Sequence, residues 1–129
     1  MTAYATKEAM QEALTRSFEL MRSDAPFRQG TQKAHLSIGF EIDDLDLTFV
    51  IALDHGIVAT TLGGSPEDAD VQLAMSSEAY DRIFTGELSP MKAALFGDLS
   101  FSGDIPAATR LQGLLPEMIR VYTQAKTAN

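Results

Sequence analysis

The chain has 129 residues, a formal net charge of −8, 45% hydrophobic residues and no cysteine. This length predicts a single domain over residues 1–129, which can bury a core without disulfides or a structural metal. The acidic balance argues against nucleic acid as a partner, because binding it requires a basic surface. The absence of cysteine excludes disulfides, thiolate metal ligands and a cysteine nucleophile, and it fits a reducing compartment.

The two ends of the chain carry no targeting pattern. Met1 to Tyr4 lack the basic and apolar regions of a signal peptide, and Lys126 to Asn129 are not a peroxisomal Ser-Lys-Leu-type signal. No apolar run approaches the roughly 20 residues that span a bilayer. These features predict a cytoplasmic protein without stable membrane insertion.

A helix is predicted over residues 6–22, where apolar side chains recur at helical spacing behind the capping residue Thr6. Its apolar stripe consists of Met10, Leu14, Phe18 and Met21. Pro26 and Gly30 are expected to break the chain after this helix.

Three strands are predicted next, because apolar and polar residues alternate from Lys33 to Ile42 and again over residues 47–53 and 57–62. The sequence Asp54-His55-Gly56 is typical of a hairpin turn between the second and third strands. Residues 63–68 are glycine-rich and then acidic, which indicates a polar connection.

The second half of the chain begins with a fourth strand, predicted over residues 70–75. A short helix is expected after it, capped by Ser76 or Ser77. Gly86 occupies the position where a helix commonly ends in a left-handed glycine.

Another short helix is predicted to begin at Ser89, which is followed by a proline in the first helical turn, and to end at Gly97. A fifth strand covers residues 99–103, and a C-terminal helix starts at Ile105. Pro116 is predicted to kink this helix or to start a new one. The order of elements predicts an α+β domain, in which one face of a sheet is wet and helices gather on the other.

The stretch from Asp70 to Leu115 resembles the core of sterol carrier protein domains. The family pattern is an acidic-Val strand, a Ser-capped helix ending in Thr-Gly, then Leu-x-Pro, a short helix, Gly-x-Leu-x-x-x-Gly and a leucine-rich helix. The matching elements here are Asp70-Val71, Ser76 or Ser77, Thr85-Gly86, Leu88-Ser89-Pro90, Gly97-Asp98-Leu99 and Gly103. About a third of the chain matches closely, and the remainder agrees in the order of its elements.

This resemblance implies a five-stranded mixed, mainly antiparallel sheet with helices packed on one face and an apolar tunnel between the layers. It also implies binding of fatty acids, fatty acyl-CoA, sterols or isoprenoid-like lipids, without a cofactor, in a bacterial-type stand-alone member. The side chains expected to contact the ligand are Phe84, Leu88, Met91, Leu95, Phe101, Leu111, Leu114, Leu115 and Met118. The chain departs from members of higher organisms at Phe96, where those often have Gln, and at Asp98 and Ser100, near which they carry Lys.

Three motifs with possible chemistry have simpler interpretations. Ser89 and Lys92 match a Ser-x-x-Lys pattern, but a helix cap followed by proline explains them. The histidines at 35 and 55 lie in polar positions and are expected on the surface. The acidic residues 43, 44 and 46 lack the spacing of an EF-hand and predict a solvated turn. We therefore expect no catalytic residue and no metal site.

The sequence thus predicts non-catalytic binding or carriage of a lipid-like apolar ligand. The alternative is a scaffold or accessory domain with a closed cavity, for example in isoprenoid quinone metabolism. The C-terminal helix is expected to form a mobile wall of the site over residues 111–122, weakest at Pro116. The oligomeric state is left open.

Overall fold

The structure is a computed structural model that describes residues 4–127. The elements along the chain are α1 (Lys7–Ser23), α2 (Ala25–Gly30), β1 (His35–Ile42), β2 (Leu47–Asp54), β3 (Ile57–Leu62), a 3-10 helix (Pro66–Asp68), β4 (Val71–Met75), α3 (Ser77–Phe84), α4 (Pro90–Leu95), β5 (Leu99–Gly103) and α5 (Ile105–Thr127). The predictions made for the chain ends rest partly on residues 1–3 and 128–129, which lie outside the described residues.

The expected break at Pro26 and Gly30 is wrong, because this segment forms the short helix α2. The Asp24 carboxylate caps it by accepting a hydrogen bond from the backbone N–H of Phe27 at 2.8 Å. Pro26 lies in the first turn, where a missing N–H is not needed for the helix. The Phe27 side chain is fully buried, so burial of one aromatic ring holds this helix against the core.

The five strands form one sheet in the order β3-β2-β1-β4-β5, which confirms the predicted mixed, mainly antiparallel sheet. The β1–β4 pair is parallel, and the other three pairs are antiparallel. The β2–β3 turn is confirmed at His55 and Gly56, whose φ angles of 51° and 86° are those of a type I′ turn.

Different elements pack on the two faces of the sheet. The apolar phase of β1 and β2 is buried under the helices, as the alternation predicts. On the outer face the 3-10 helix crosses β1, and a Cβ atom added at Gly39 would lie 2.3 Å from the carbonyl oxygen of Pro66. The connection predicted over residues 63–68 therefore covers part of the wet face, and only glycine fits beneath it.

Aromatic rings form the centre of the core. Phe40 and Phe49 stack across neighbouring strands at a centroid distance of 4.6 Å, and Tyr80 and Phe84 stack along α3 at 4.4 Å. Tyr122 of α5 meets Tyr80 edge-on at 5.3 Å. These contacts join the sheet, α3 and the second half of α5 into one packed unit.

Pro116 lies inside α5, which continues from Ile105 to Thr127 without restarting. The predicted start of a new helix at this proline is therefore wrong. The missing N–H leaves the carbonyl of Gln112 without its helical partner. Burial of Leu114 before the proline and of Met118 after it stabilises the same helix on both sides.

Candidate functional site

An apolar cavity of about 300 Å³ lies between the sheet and the three C-terminal helices. It is lined by Leu73, Met75, Ile83, Phe84, Pro90, Met91, Ala94, Leu99, Phe101, Ala108, Leu111, Gln112 and Leu115. Of these thirteen residues, all within the part of the chain that the structure describes, Gln112 alone has a polar side chain.

The floor of the cavity is formed by the inward side chains of two neighbouring strands. β4 and β5 pair antiparallel, so that Leu73 lies opposite Phe101 and Met75 lies opposite Leu99. Alternation along each strand puts all four side chains on the same face. The backbone of β4 is paired on both sides, with β1 and with β5, so this part of the floor presents apolar side chains.

The walls come from the helices that follow. Ile83 and Phe84 end α3, and both side chains are 2% exposed. α4 contributes residues from its solvent side, and α5 contributes Ala108, Leu111 and Leu115 at helical spacing. Because α4 has only six residues, it covers little of the sheet and leaves the cavity open.

Large exposed apolar side chains occur in and just after α4, in β5 and at the start of α5, which are elements that line the cavity, and we call them the apolar rim. The rim consists of Met91, Leu95, Phe96, Phe101 and Ile105, with exposed fractions of 72, 78, 72, 42 and 82%. Exposed apolar side chains grouped in this way are typical of interaction or ligand sites. Met91 and Phe101 belong both to the rim and to the cavity lining, so apolar surface continues from the cavity to solvent at these two residues.

The structure brings together five of the nine residues predicted to contact ligand: Phe84, Met91, Phe101, Leu111 and Leu115 line the cavity. Met118 and Leu114 are buried but do not line the cavity, and Leu88 is packed partly against the core. Leu95 lies on the rim and not in the cavity. As ligand contacts, all nine remain predictions.

The prediction missed eight lining residues, of which three are on the sheet and five are on the helices. The missed strand residues lie on the same face of the sheet as Phe101: they are Leu73, Met75 and Leu99. Strand alternation could have identified them once the β4–β5 pairing was known. Gln112 was missed because the apolar stripe alone was used to choose residues on α5. Gln112 is exposed, so its side-chain amide offers a polar group at the edge of the cavity.

A larger depression of about 420 Å³ lies on the outer face of the sheet. Its lining includes Glu41, Glu67 and Gln72 together with Ser100 and Ser102. Carboxylates in contact with an alkyl chain would lose hydration without gaining a partner. The smaller apolar cavity is therefore the better site for an apolar ligand.

The cavity contains no titratable side chain among its described lining residues. Ser89, outside it, accepts a hydrogen bond from the backbone N–H of Lys92 at 3.4 Å, which is the predicted capping role. His35 begins β1 and His55 lies in the β2–β3 turn, and neither residue lines the cavity. A nucleophile–base pair is not assembled among these residues, because they lie in separate parts of the fold.

The C-terminal half of α5 is held by polar contacts that its first half lacks. Arg120 donates to the Asp24 carboxylate at 2.5 Å, and this hydrogen bond lowers the pKa of Asp24. The Asp81 carboxylate accepts from the Tyr122 hydroxyl at 2.9 Å and from the Lys126 ammonium at 2.5 Å. Burial raises the pKa of Tyr122, so its hydroxyl remains a neutral donor.

The fold and the apolar cavity together define a small α+β domain of the sterol-carrier type. Residues 19–116 match the SCP-2 sterol transfer family, and the chain belongs to that family. Membership supports lipid binding or transfer as the general class of function.

Among curated proteins, the chain is similar to "Hydroxysteroid dehydrogenase-like protein 2" of Rattus norvegicus, with 38% identity over 56 residues. That match covers 43% of this chain and 11% of the rat protein, so the similarity concerns a small part of a longer protein.

Three solved structures share the fold. "Crystal structure of sterol carrier protein 2" aligns with a TM-score of 0.70 at 16% identity, covering 87% of this chain and 94% of that one. Palmitated SCP2L2 from Aedes aegypti aligns at 0.55 and 18%, covering 89% and 95%. "UbiJ-SCP2 Ubiquinone synthesis protein" aligns at 0.59 and 15%, covering 85% and 93%. At these identities the likeness shows the fold alone.

Within the described range 4–127, no helix is both long and apolar enough to cross a membrane.

Proposed function

We propose that this protein binds and carries a lipid with a long alkyl or isoprenoid chain, such as a fatty acid or fatty acyl-CoA, without changing it chemically. The observation that carries the proposal is the cavity of about 300 Å³, whose lining is apolar except for Gln112. The sterol and palmitate named for structures of this fold are ligands of the same chemical kind.

In the proposed complex the alkyl chain lies between the floor of β4 and β5 and the first half of α5. The headgroup stays at the opening, where the side-chain amide of Gln112 can donate a hydrogen bond to it. The rim covers carbons that extend beyond the cavity. The walls recognise apolar area and little else, so we expect low selectivity between chain lengths that differ by one methylene.

The expected affinity follows from the area that a chain would bury. A chain of about 15 methylenes gains roughly 12 kcal/mol on full burial, at about 0.8 kcal/mol each. Loss of translational, rotational and chain freedom removes several kcal/mol of this gain. Micromolar dissociation constants are therefore expected for long-chain ligands.

The test is titration of a fluorescent fatty acid, followed by mass spectrometry of the recovered ligand. Saturable micromolar binding and an unchanged ligand mass are expected. Leu115→Glu should abolish binding, because it puts a carboxylate against the cavity, whereas Leu62→Glu on the exposed end of β3 should leave binding intact. Absence of saturable binding to any lipid class would contradict carriage, and a new product would contradict the absence of turnover.

A second candidate function is an accessory domain that acts through a protein partner, for example in isoprenoid quinone synthesis. The observation that favours it is the apolar rim, which a partner surface could cover as well as a ligand could. A ubiquinone synthesis protein has the same fold. Native mass spectrometry of the protein isolated from its host separates the two, because carriage predicts a bound lipid and the accessory function predicts a bound polypeptide.

A further inference from the structure

Two histidines and an aspartate meet at the end of the sheet that lies away from the cavity. His35 begins β1, Asp54 ends β2 directly opposite it, and His55 is the first residue of the β2–β3 turn. One carboxylate oxygen, Oδ1 of Asp54, lies 3.3 Å from Nδ1 of His35 and 2.6 Å from Nδ1 of His55. One ligand atom from each of the three residues can be chosen so that all lie within 4.8 Å of one another.

These separations are close to those in a metal site. With metal–nitrogen and metal–oxygen bonds near 2.0–2.2 Å, ligand atoms of a tetrahedral site lie about 3.3 Å apart. The His35–Asp54 pair already has this separation. The His55 ring must retreat by roughly 0.7 Å to match it. The side chain of His55 is 68% exposed, so rotation in solvent allows that movement.

The backbone that carries the three side chains is fixed. His35 and Asp54 are paired in the β1–β2 ladder. The turn is tied back to the chain before β1, because the N–H of His55 donates to the carbonyl of Ala34 at 2.8 Å and the N–H of Gly56 donates to that of Thr31 at 3.1 Å. Ligands on rigid elements lose little freedom when an ion binds.

The chemical groups of the three side chains indicate which class of metal ion they would bind. Two imidazoles and one carboxylate suit zinc and its neighbours among the first-row divalent metals, whereas calcium and magnesium prefer oxygen ligands. The chain's net charge of −8 also favours the approach of a dication.

We propose that His35, Asp54 and His55 form a surface site for a divalent first-row transition metal such as zinc, with water completing its coordination. The site is separate from the cavity and goes beyond the proposed lipid function. A simple exposed His–Asp ion pair would need one histidine, whereas here both rings converge on the same oxygen.

The test is a titration of the untagged full chain with Zn²⁺ by calorimetry, after removal of metal with a chelator. One zinc ion per chain is expected, with shifts of the imidazole nitrogen resonances of both histidines. His35→Ala, His55→Ala and Asp54→Asn should each weaken binding about tenfold or more.

Asp43→Asn is the matched control, because it removes the same charge from an exposed aspartate in another turn. It should leave zinc binding unchanged. The proposal is overturned if both Asp→Asn variants weaken binding equally, because general attraction by the acidic surface would then explain it. Equal affinity in the wild type and the two histidine variants, or no saturable binding, would also overturn it. Amide spectra identical to those of the wild type, away from the turn, would show that each variant is folded.

Discussion

A series of saturated fatty acids of increasing length should measure the depth of the cavity. At about 30 Å³ for each methylene-sized group, a volume of about 300 Å³ holds about ten methylenes. Each methylene that enters contributes about 0.8 kcal/mol, which is about a fourfold gain in affinity. We therefore expect affinity to rise steeply up to about ten methylenes and more slowly beyond, where added carbons lie against the partly hydrated rim.

Ala108→Phe should move this break in slope. Ala108 lines the cavity from α5 and is half-buried, so a phenyl ring at this position would fill the space of about three to four methylenes. The break should then appear near six or seven methylenes. Ala59→Phe makes the same chemical change at an exposed position of β3, the sheet edge opposite β5, and should leave the break where it is.

The assay is displacement of a fluorescent fatty acid by each unlabelled one below its micelle concentration. The thermal stability of both variants is measured in parallel, so that loss of fold is not mistaken for loss of volume. If affinity does not depend on chain length, or if Ala108→Phe and Ala59→Phe behave alike, the assignment of the cavity as the chain-binding site is refuted.

Four further outcomes are expected. Ser89→Ala should lower the free energy of unfolding by only about 0.5–1 kcal/mol in chemical denaturation, because the capping hydrogen bond that it removes is long. Lipid affinity should be unchanged. A loss of binding at full stability would contradict a structural role for Ser89. Asp24→Asn should lose about 1 kcal/mol at neutral pH through its contact with Arg120. Since the folded-state pKa of Asp24 is lowered, this deficit should be present above its unfolded pKa and disappear as pH falls below about 4; a deficit that persists in acid would mean that charge is not its cause. In hydrogen exchange, the amides of α5 before Pro116 should exchange faster than those after it, because the polar contacts to other elements lie in the second half of the helix. Exchange of these amides should slow when ligand binds. Uniform protection along α5 would place the mobile wall elsewhere. Vesicles rich in phosphatidylserine should not sediment the protein at physiological salt, because its charge is −8, and salt-sensitive cosedimentation would reveal a basic surface.

The order of elements followed from local patterns that need no tertiary information. Alternation defined the strands, and the capping roles of Thr6 and Ser89 followed from hydrogen bonds within one turn. The type I′ turn at His55-Gly56 is similarly local, because both residues adopt positive φ angles that two-residue hairpins require. The resemblance of residues 70–115 to the sterol carrier family then supplied the topology.

Tertiary packing decided what these patterns leave open. α2 exists because Phe27 is buried and Asp24 meets Arg120 from a distant helix, contacts that outweigh the local break signal of Pro26. α5 continues through Pro116 because residues on both sides of it are packed.

The site depended on packing in the same way. Helical spacing placed Met118 and Leu111 on one apolar stripe, yet of these two only Leu111 lines the cavity, whereas Met118, two turns further along α5, is fully buried. The β4–β5 pairing brought Leu73 opposite Phe101, and the β1–β2 pairing brought His35 opposite Asp54. Sequence alone determines which side chains can share a face, whereas the register between distant segments, set by burial of the whole core, decides which of them meet.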